Sequence, residues 1–388
     1  MNSRMILGAV AALAACSGVS AAERLTRIDG NTAEVAVSAI TAERVTLANG
    51  EVAFDDLWRI ERMAPSAAAS GMVTRVILNG GEIPVSRVVV SNGMCRFDWV
   101  GGNDSVLTQS VVRALLLTTG EATGEATARA LEKVSDVDQV VAVGPDNAAL
   151  LLDGIVKSVG ANAILVQYQE KDRTLSRSKV AAVVFGRTEA PARAAGPLPW
   201  KATVAGGAWV EGSDVRLTDG VLTMTIGSSA LVIPWSQVCS LEHRSKKASF
   251  LARMDPVRAT EVSLVALALP WQRDRNAMNQ PLRLRGAIRE TGLGTHAPSE
   301  LVFDVPEGAK RFLAVVGLDE EYGRGGDCVI VVQVDDREAL RRRMLGKDAA
   351  LAVDIEIRDG RKLTLRTEPG ENLDIGDHVN WYDARLLQ

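Results

Sequence analysis

Histidine is the side chain most readily used for acid–base chemistry near neutral pH and a frequent metal ligand, and this chain has only three. Two of them stand in suggestive settings. His296 follows the glycine turn Gly292-Leu293-Gly294-Thr295 and leads toward Ser299-Glu300-Leu301, while His378 sits in Gly376-Asp377-His378-Val379-Asn380-Trp381. Neither lies in an HExxH run or in the carboxylate, histidine and serine order of a nucleophilic triad. Each therefore has two readings: a fold histidine hydrogen-bonded to backbone at the rim of a β-structure, or a direct contact with a ligand or metal. Cys95, Cys239 and Cys328 are far apart, form no CxxC pair and read as small buried apolar side chains.

The chain that must position these residues has 388 of them, enough for two or three domains. Its net charge of -4 and pI near 5.6 give no electrostatic bias toward nucleic acid. Apolar residues make up 47%, ample for a buried core, whereas aromatics supply only 4%.

The first 22 residues, MNSRMILGAVAALAACSGVSAA, combine one early charge at Arg4, a short apolar run and small residues, the pattern of a secretory signal peptide. Cleavage near Ala21 is the preferred reading, which implies an exported protein, secreted or in the periplasm or cell envelope. Leu13-Ala14-Ala15-Cys16 also resembles a lipobox, and lipidation of Cys16 would anchor the protein to a membrane. No later segment offers the eighteen consecutive apolar residues of a spanning helix.

From residue 24 to 245 one pattern recurs four times: a short strand, a glycine turn, alternating strands, and a final strand ending in a branched residue. TRIDGNTAEVAVSAITAERVTLANGEVAFDDLWRIER is the first copy, VTRVILNGGEIPVSRVVVSNGMCRFDWVG opens the second, and LLLDGIVKSVGANAILVQYQEKDRTLSRSKVAAVVFG is the third. Residues 23–117 hold two such repeats. Residues 118–190 hold a bridging helix over Gly124 to Val134 and the third repeat, and residues 191–245 hold the fourth after an alanine- and proline-rich linker, Arg187 to Pro199. A single copy of about forty residues is too small for its own core. The expected outcome is a series of small curled sheets or barrels with no active-site pattern of their own.

Residues 246–388 differ. The turn GLGTH followed by Ser299-Glu300-Leu301, the strand FLAVVGLD, the Gly325-Gly326 turn into CVIVVQV and the closing DHVNWYDARL occur in order. On these elements the segment resembles the NPCBM family of carbohydrate-binding modules of bacterial secreted proteins. The resemblance implies a galactose-binding-like jelly-roll β-sandwich, and the local alternation agrees at Leu301 to Val305, Phe312 to Leu318, Val329 to Val334, Ala350 to Ile357 and Lys362 to Arg366. Asp335-Asp336 departs from the family's usual Asp-Gly turn, and Glu338 to Arg343 corresponds to its charged hairpin. Trp381 and Tyr382 alternate along one strand, so one of them is expected in the core.

The overall expectation is an all-β protein: small β-barrel or curled-sheet repeats with one bridging helix, then the sandwich. The resemblance implies carbohydrate contacts at loops of the sandwich, with His296, Arg273, Tyr322 and His378 as candidates expected to converge at one end. Asp319 and Asp377 are candidate oxygens for the structural calcium that some related modules hold. The function expected is that of an exported, non-catalytic glycan-binding protein, with an envelope or extracellular glycan as partner. The alternatives are a structural envelope protein whose sandwich contacts other proteins, and an accessory part of a glycan-degrading system.

Overall fold

The computed structural model describes residues 23–62, 74–118, 120–187, 198–262 and 269–388. The proposed signal peptide, with Cys16, lies outside the described residues, as does most of the linker from Arg187 to Pro199. Described secondary structure is β apart from short 3-10 turns and one α-helix, Glu121–Glu132, three residues earlier than the alanine-rich spacing suggests.

Each repeat is a small six-strand unit built one way. Its opening strand pairs with the second strand on one edge and the closing strand on the other, while the three middle strands form a meander. The opening strands are Glu23–Arg27, Thr74–Leu78, Asp138–Val143 and Trp200–Val204. The closing strands are Leu57–Arg62, Val112–Leu116, Val180–Val184 and Val238–His243, and a 3-10 turn precedes every one of them. In the third unit the second and middle strands run together as Ala149–Val159, and the opening strand begins before the segment where the repeat pattern is visible.

The units do not stack in series. The closing strand of the first pairs antiparallel with that of the fourth, Leu241 opposite Ile60, and the second unit's pairs with the third's, Leu115 opposite Val183. The second strands of the second and fourth units then join the two pairs, Val210 opposite Gly81. One apolar core consequently runs through all four, with Ile60, Leu115, Val183 and Leu241 among its fully buried members. This is how forty-residue units too small to fold alone bury their branched faces. Cys95 is in that core; Cys328 is buried in the next one, Cys239 is half-buried, and none forms a disulfide.

The C-terminal sandwich has two antiparallel sheets. One runs in the spatial order Gln272–Arg273, Gly292–His296, His378–Leu387, Arg311–Leu318, Leu351–Glu356, with Ala248–Phe250 also paired to the long closing strand. The other runs Arg258–Glu261, Ser299–Asp304, Lys362–Pro369, Asp327–Val334, Arg337–Leu345. Leu301, Phe303, Phe312, Ile330, Leu365 and Trp381 fill the space between them. The charged segment after Asp335-Asp336 is a full strand of the second sheet, entered through Asp335 at φ 51°.

Trp381 faces that core, and Tyr382 points to the opposite face, yet both are completely buried. The hairpin formed by Leu282–Leu284 and Ala287–Arg289 accounts for the second burial, because the Arg283 carbonyl accepts the Tyr382 hydroxyl at 2.5 Å. Platform and sandwich touch along a further apolar cluster of Ile28, Trp58, Leu313 and Leu387. Arg385, 4% exposed, stacks over the Trp58 ring at 4.9 Å and donates through Nε to the Ile28 carbonyl at 2.7 Å.

Candidate functional site

The two histidines singled out by their settings meet directly. Strands Gly292–His296 and His378–Leu387 pair so that His296 lies opposite His378 at one end of the ladder. The rings stand 4.7 Å apart edge to face, and the half-buried Tyr322 ring lies 5.8 Å from that of His378. Burial lowers the pKa of His296, with Asp374 opposing. Burial and the neighbouring His296 push His378 down to about 4, against the pull of Asp319. Both rings are thus neutral at pH 7. The Nδ1 atom of each is buried without a hydrogen-bond partner.

Asp319, at the end of the strand Arg311–Leu318, is the knot that holds the rim together. Oδ1 accepts from the backbone N–H groups of Glu321 and Tyr322, each at 3.0 Å. Oδ2 accepts from Asn276 at 3.0 Å and from Asn380 at 2.8 Å. All three side chains are buried, and Asn380 also donates to the Tyr382 hydroxyl at 3.2 Å. Desolvation alone would raise the Asp319 pKa, but the four donors outweigh it and hold the carboxyl below its ordinary range. The turn at Asn276, the loop from 319 to 326 and the closing strand are thereby fixed to one another.

Asp377 is completely buried. Its Oδ1 accepts the Asp327 N–H at 2.7 Å, while Oδ2 has no partner. Burial is the main cause that pushes its pKa up to about 7, with Asp327 and Asp374 adding like charge. Asp327 is itself clamped by Arg343 through two bonds of 2.7 and 2.6 Å. For the two calcium candidates, the Asp319 oxygens accept from four donors and one Asp377 oxygen accepts the Asp327 N–H, so most of their lone pairs are already engaged within the fold. Among the described residues, no group of three or more His, Cys, Asp or Glu side chains is placed to hold a metal ion.

Arg273 does not join the rim. Its strand pairs with Leu293 and Gly294, and its guanidinium bonds Asp255 at 2.5 Å and the Met254 carbonyl while lying over Trp271. The rim instead gains residues whose types gave no warning. Asn276 stands in the polar stretch from Gln272 to Gln280, where nothing sets it apart, and Asn380 is a polar amide within the DHVNWYD motif. Beside them Met278, Leu373 and Ile375 are exposed at 40%, 53% and 58%. The loop carrying the last two is tied to the glycine turn by Asn372, which donates to the Gly325 carbonyl at 2.9 Å.

Away from the rim, a cavity of about 690 Å³ lies between the platform and the sandwich. Four arginines, Arg24, Arg59, Arg289 and Arg385, face Asp29, Glu34, Glu61, Asp354 and Asp383 across it. The balance of opposite charges favours neither an anion nor a cation there.

In comparisons with known proteins, residues 247–387 match the NPCBM/NEW2 domain model. The chain is similar to the CBM51 module of a Clostridium perfringens GH95 protein, solved in complex with methyl-galactose, at 24% identity, covering 36% of this chain and 99% of that one with a TM-score of 0.33. It is similar to the CBM51-2 and INT domains of Clostridium perfringens ZmpB at 22% identity, covering 46% of this chain and 38% of that one, TM-score 0.34. It is also similar to the tandem CBM51 modules of Sp3GH98, a family 98 glycoside hydrolase of Streptococcus pneumoniae, at 14% identity, 64% and 88% coverage and TM-score 0.32. No curated protein matches the chain. The C-terminal sandwich, by its match over residues 247–387, is an NPCBM/NEW2 domain, as the GLGTH turn and the closing DHVNWYDARL suggest.

Proposed function

We propose that this is an exported, non-catalytic protein that binds an envelope or extracellular glycan at the rim of its C-terminal sandwich. The observation that carries the reading is the convergence of Tyr322, His378 and three loops at one end of a domain matching a carbohydrate-binding family. The half-buried Tyr322 ring, with the exposed Met278, Leu373 and Ile375 on the neighbouring loops, supplies apolar surface for a sugar face. The neutral His378 ring supplies a polar contact without a charge to desolvate. Support for a non-catalytic role comes from the reactive groups. Burial drives the Cys95 thiol up to about 12 and raises that of Cys328, and the buried His296 and half-buried His378 both have lowered pKa values. Export, whether with cleavage near Ala21 or lipidation at Cys16, rests on the N-terminal pattern and is read out by the mass of the mature N-terminus.

A glycan array probed with the full chain, followed by titration of the best sugar, tests the reading. Tyr322→Ala is expected to weaken binding at least about ten-fold, the loss of one stacking contact of roughly 1.4 kcal/mol, and to leave the melting temperature unchanged. His296→Ala is expected to cost about 1 to 3 kcal/mol of stability, because it removes a buried ring packed on His378. Absence of binding to any glycan, or native affinity in the Tyr322 variant, would refute the rim site and leave a structural envelope role, with the sandwich contacting proteins, as the better reading.

A further inference from the structure

We propose that the chain forms a two-fold dimer in solution, by antiparallel pairing of residues 149–154 with the same segment of a second copy. The inference does not depend on glycan binding. It follows from the rule by which the platform assembles itself. Among the described strands, units join only through like strands: closing strand to closing strand between the first and fourth and between the second and third, and second strand to second strand between the second and fourth. Even the lone pairings in the middle meanders obey it, Ile40 opposite Leu217 and Val90 opposite Val159.

Among the described strands, that rule leaves two second strands with one edge unpaired, those of the first and third units. The first, Thr32–Val35, lines the cleft opposite the sandwich strands carrying Leu313 to Val315 and Ala352 to Asp354. The third unit's Ala149–Val159 pairs through residues 149–154 with Asp138–Val143, and no described strand meets its other edge. Exposed edges are normally blunted by charge, proline or irregularity, since their free N–H and C=O groups template further pairing. Here the edge reads Ala-Leu-Leu-Leu-Asp-Gly, with Leu150 and Leu151 each 49% exposed and the following Ile155 at 55%. Its single charge, Asp153, is engaged within the unit by Gln139 at 2.7 Å and Lys133 at 3.9 Å. Val134, at the end of the helix beside this sheet, is 49% exposed.

A second copy is the occupant this edge fits. Antiparallel pairing of a strand with itself is its own mate under a two-fold axis, so the contact closes after two chains. The second and fourth units already show the same join within one molecule, Trp209 opposite Glu82 and Val210 opposite Gly81. A six-residue ladder buries less than a standard interface of about 1,600 Å², so the dimer is expected to be reversible and concentration-dependent.

Sedimentation velocity of the full chain over a hundred-fold range of concentration tests the inference, together with hydrogen exchange of amides 149–154. The native chain is expected to pass from monomer to dimer, with slower exchange in that segment at high concentration. Leu151→Asp is expected to raise the dissociation constant at least about ten-fold while the circular-dichroism melt stays native. Ile288→Lys, a change at an apolar residue 58% exposed on the sandwich hairpin, is expected to leave dimerisation intact. Should Leu151→Asp fold poorly, the exchange of the native chain decides alone. A monomer at all concentrations, a dimer with unprotected 149–154 amides or insensitive to Leu151→Asp, equal loss in the Ile288 variant, or open-ended filaments would each overturn it.

Discussion

Asp319→Ala is expected to abolish glycan binding and to lower stability by on the order of 3 to 5 kcal/mol, the range seen when one partner of a buried charged network is removed. The alanine leaves four donors without an acceptor: the N–H groups of Glu321 and Tyr322, and the amides of Asn276 and Asn380. Asn380 retains its bond to the Tyr382 hydroxyl, but Asn276 has no second acceptor for its side-chain amide in this arrangement. Because the same carboxylate fixes Tyr322 and the turn at Asn276, the rim is expected to lose its geometry along with its stability. Asp319→Asn separates charge from shape. Its carbonyl can still serve the two backbone donors, whereas its NH2 group faces two amide NH2 groups; relief comes only if Asn380 turns its unpartnered Oδ1 inward and gives up Tyr382. The asparagine variant is therefore expected to fall between the native protein and the alanine variant in both melting temperature and affinity. The depressed pKa gives the effect a pH signature. The stability contributed by Asp319 is present above the ordinary carboxylate range and is lost as pH falls through its lower folded value, so the gap between native and alanine proteins should shrink in acid. An alanine variant as stable as the native chain would show that the four donors find water or other partners at no cost.

What could be read ahead of the structure divides along the range of the interactions. The strands from Leu301 to Arg366 follow from period-two alternation between glycine and acidic turns, which is local information. So does the helix, whose alanines and glutamates sit at helical spacing. The repeat in the platform is local too, but the pairing of its copies is not. Leu241 lies opposite Ile60 across most of the platform sequence, and nothing in either strand distinguishes that partner from a nearer one. Tyr382 illustrates the same limit on one residue. Alternation correctly sends it to the face opposite Trp381, and its burial depends on a hairpin about 100 positions earlier, contacted at Arg283. At the rim, the glycine turn and the DHVNWYD motif located His296 and His378, and strand register brought them together. Asp319 looked like a ligand because an aspartate in a loop has free oxygens; in the fold those oxygens are consumed by neighbours that alternation would have assigned to apolar packing or to an ordinary turn. Arg273 was misplaced for a simpler reason, since its sequence position predicts a loop near the rim while strand pairing sets it opposite Leu293, with its guanidinium turned to the exposed Asp255.

Asp377→Asn is expected to change the pH dependence of stability rather than its value in acid. In the unfolded chain this carboxyl ionises near 3.8, whereas in the fold it keeps its proton up to about 7. Between those values the native state binds more protons than the unfolded state, so Asp377 contributes stability that is present at the acid end and is lost as pH rises. Across about 3 pH units, at about 1.4 kcal/mol per unit, the change is on the order of 4 kcal/mol. The cause is a buried carboxylate with one unpartnered oxygen beside Asp327 and Asp374; Arg343 is the nearby cation, but it is bound to Asp327. The three histidines work in the opposite direction. Burial lowers the pKa of His243, His296 and His378, so each binds a proton more readily in the unfolded chain, and each adds stability as pH rises toward 6.5. The native curve is the sum of these opposing slopes, and only the difference between variant and native isolates Asp377. Asparagine keeps an oxygen for the Asp327 N–H and cannot ionise. Denaturant melts from pH 4 to pH 8.5 should therefore show the two proteins equally stable near pH 4, with Asp377→Asn gaining steadily until the gap levels off above pH 7. Parallel curves would mean that the carboxyl ionises at its ordinary value in the fold, through a local opening that admits water to its free oxygen. A gap that widened toward acid would mean that the ionised form is the one the fold favours.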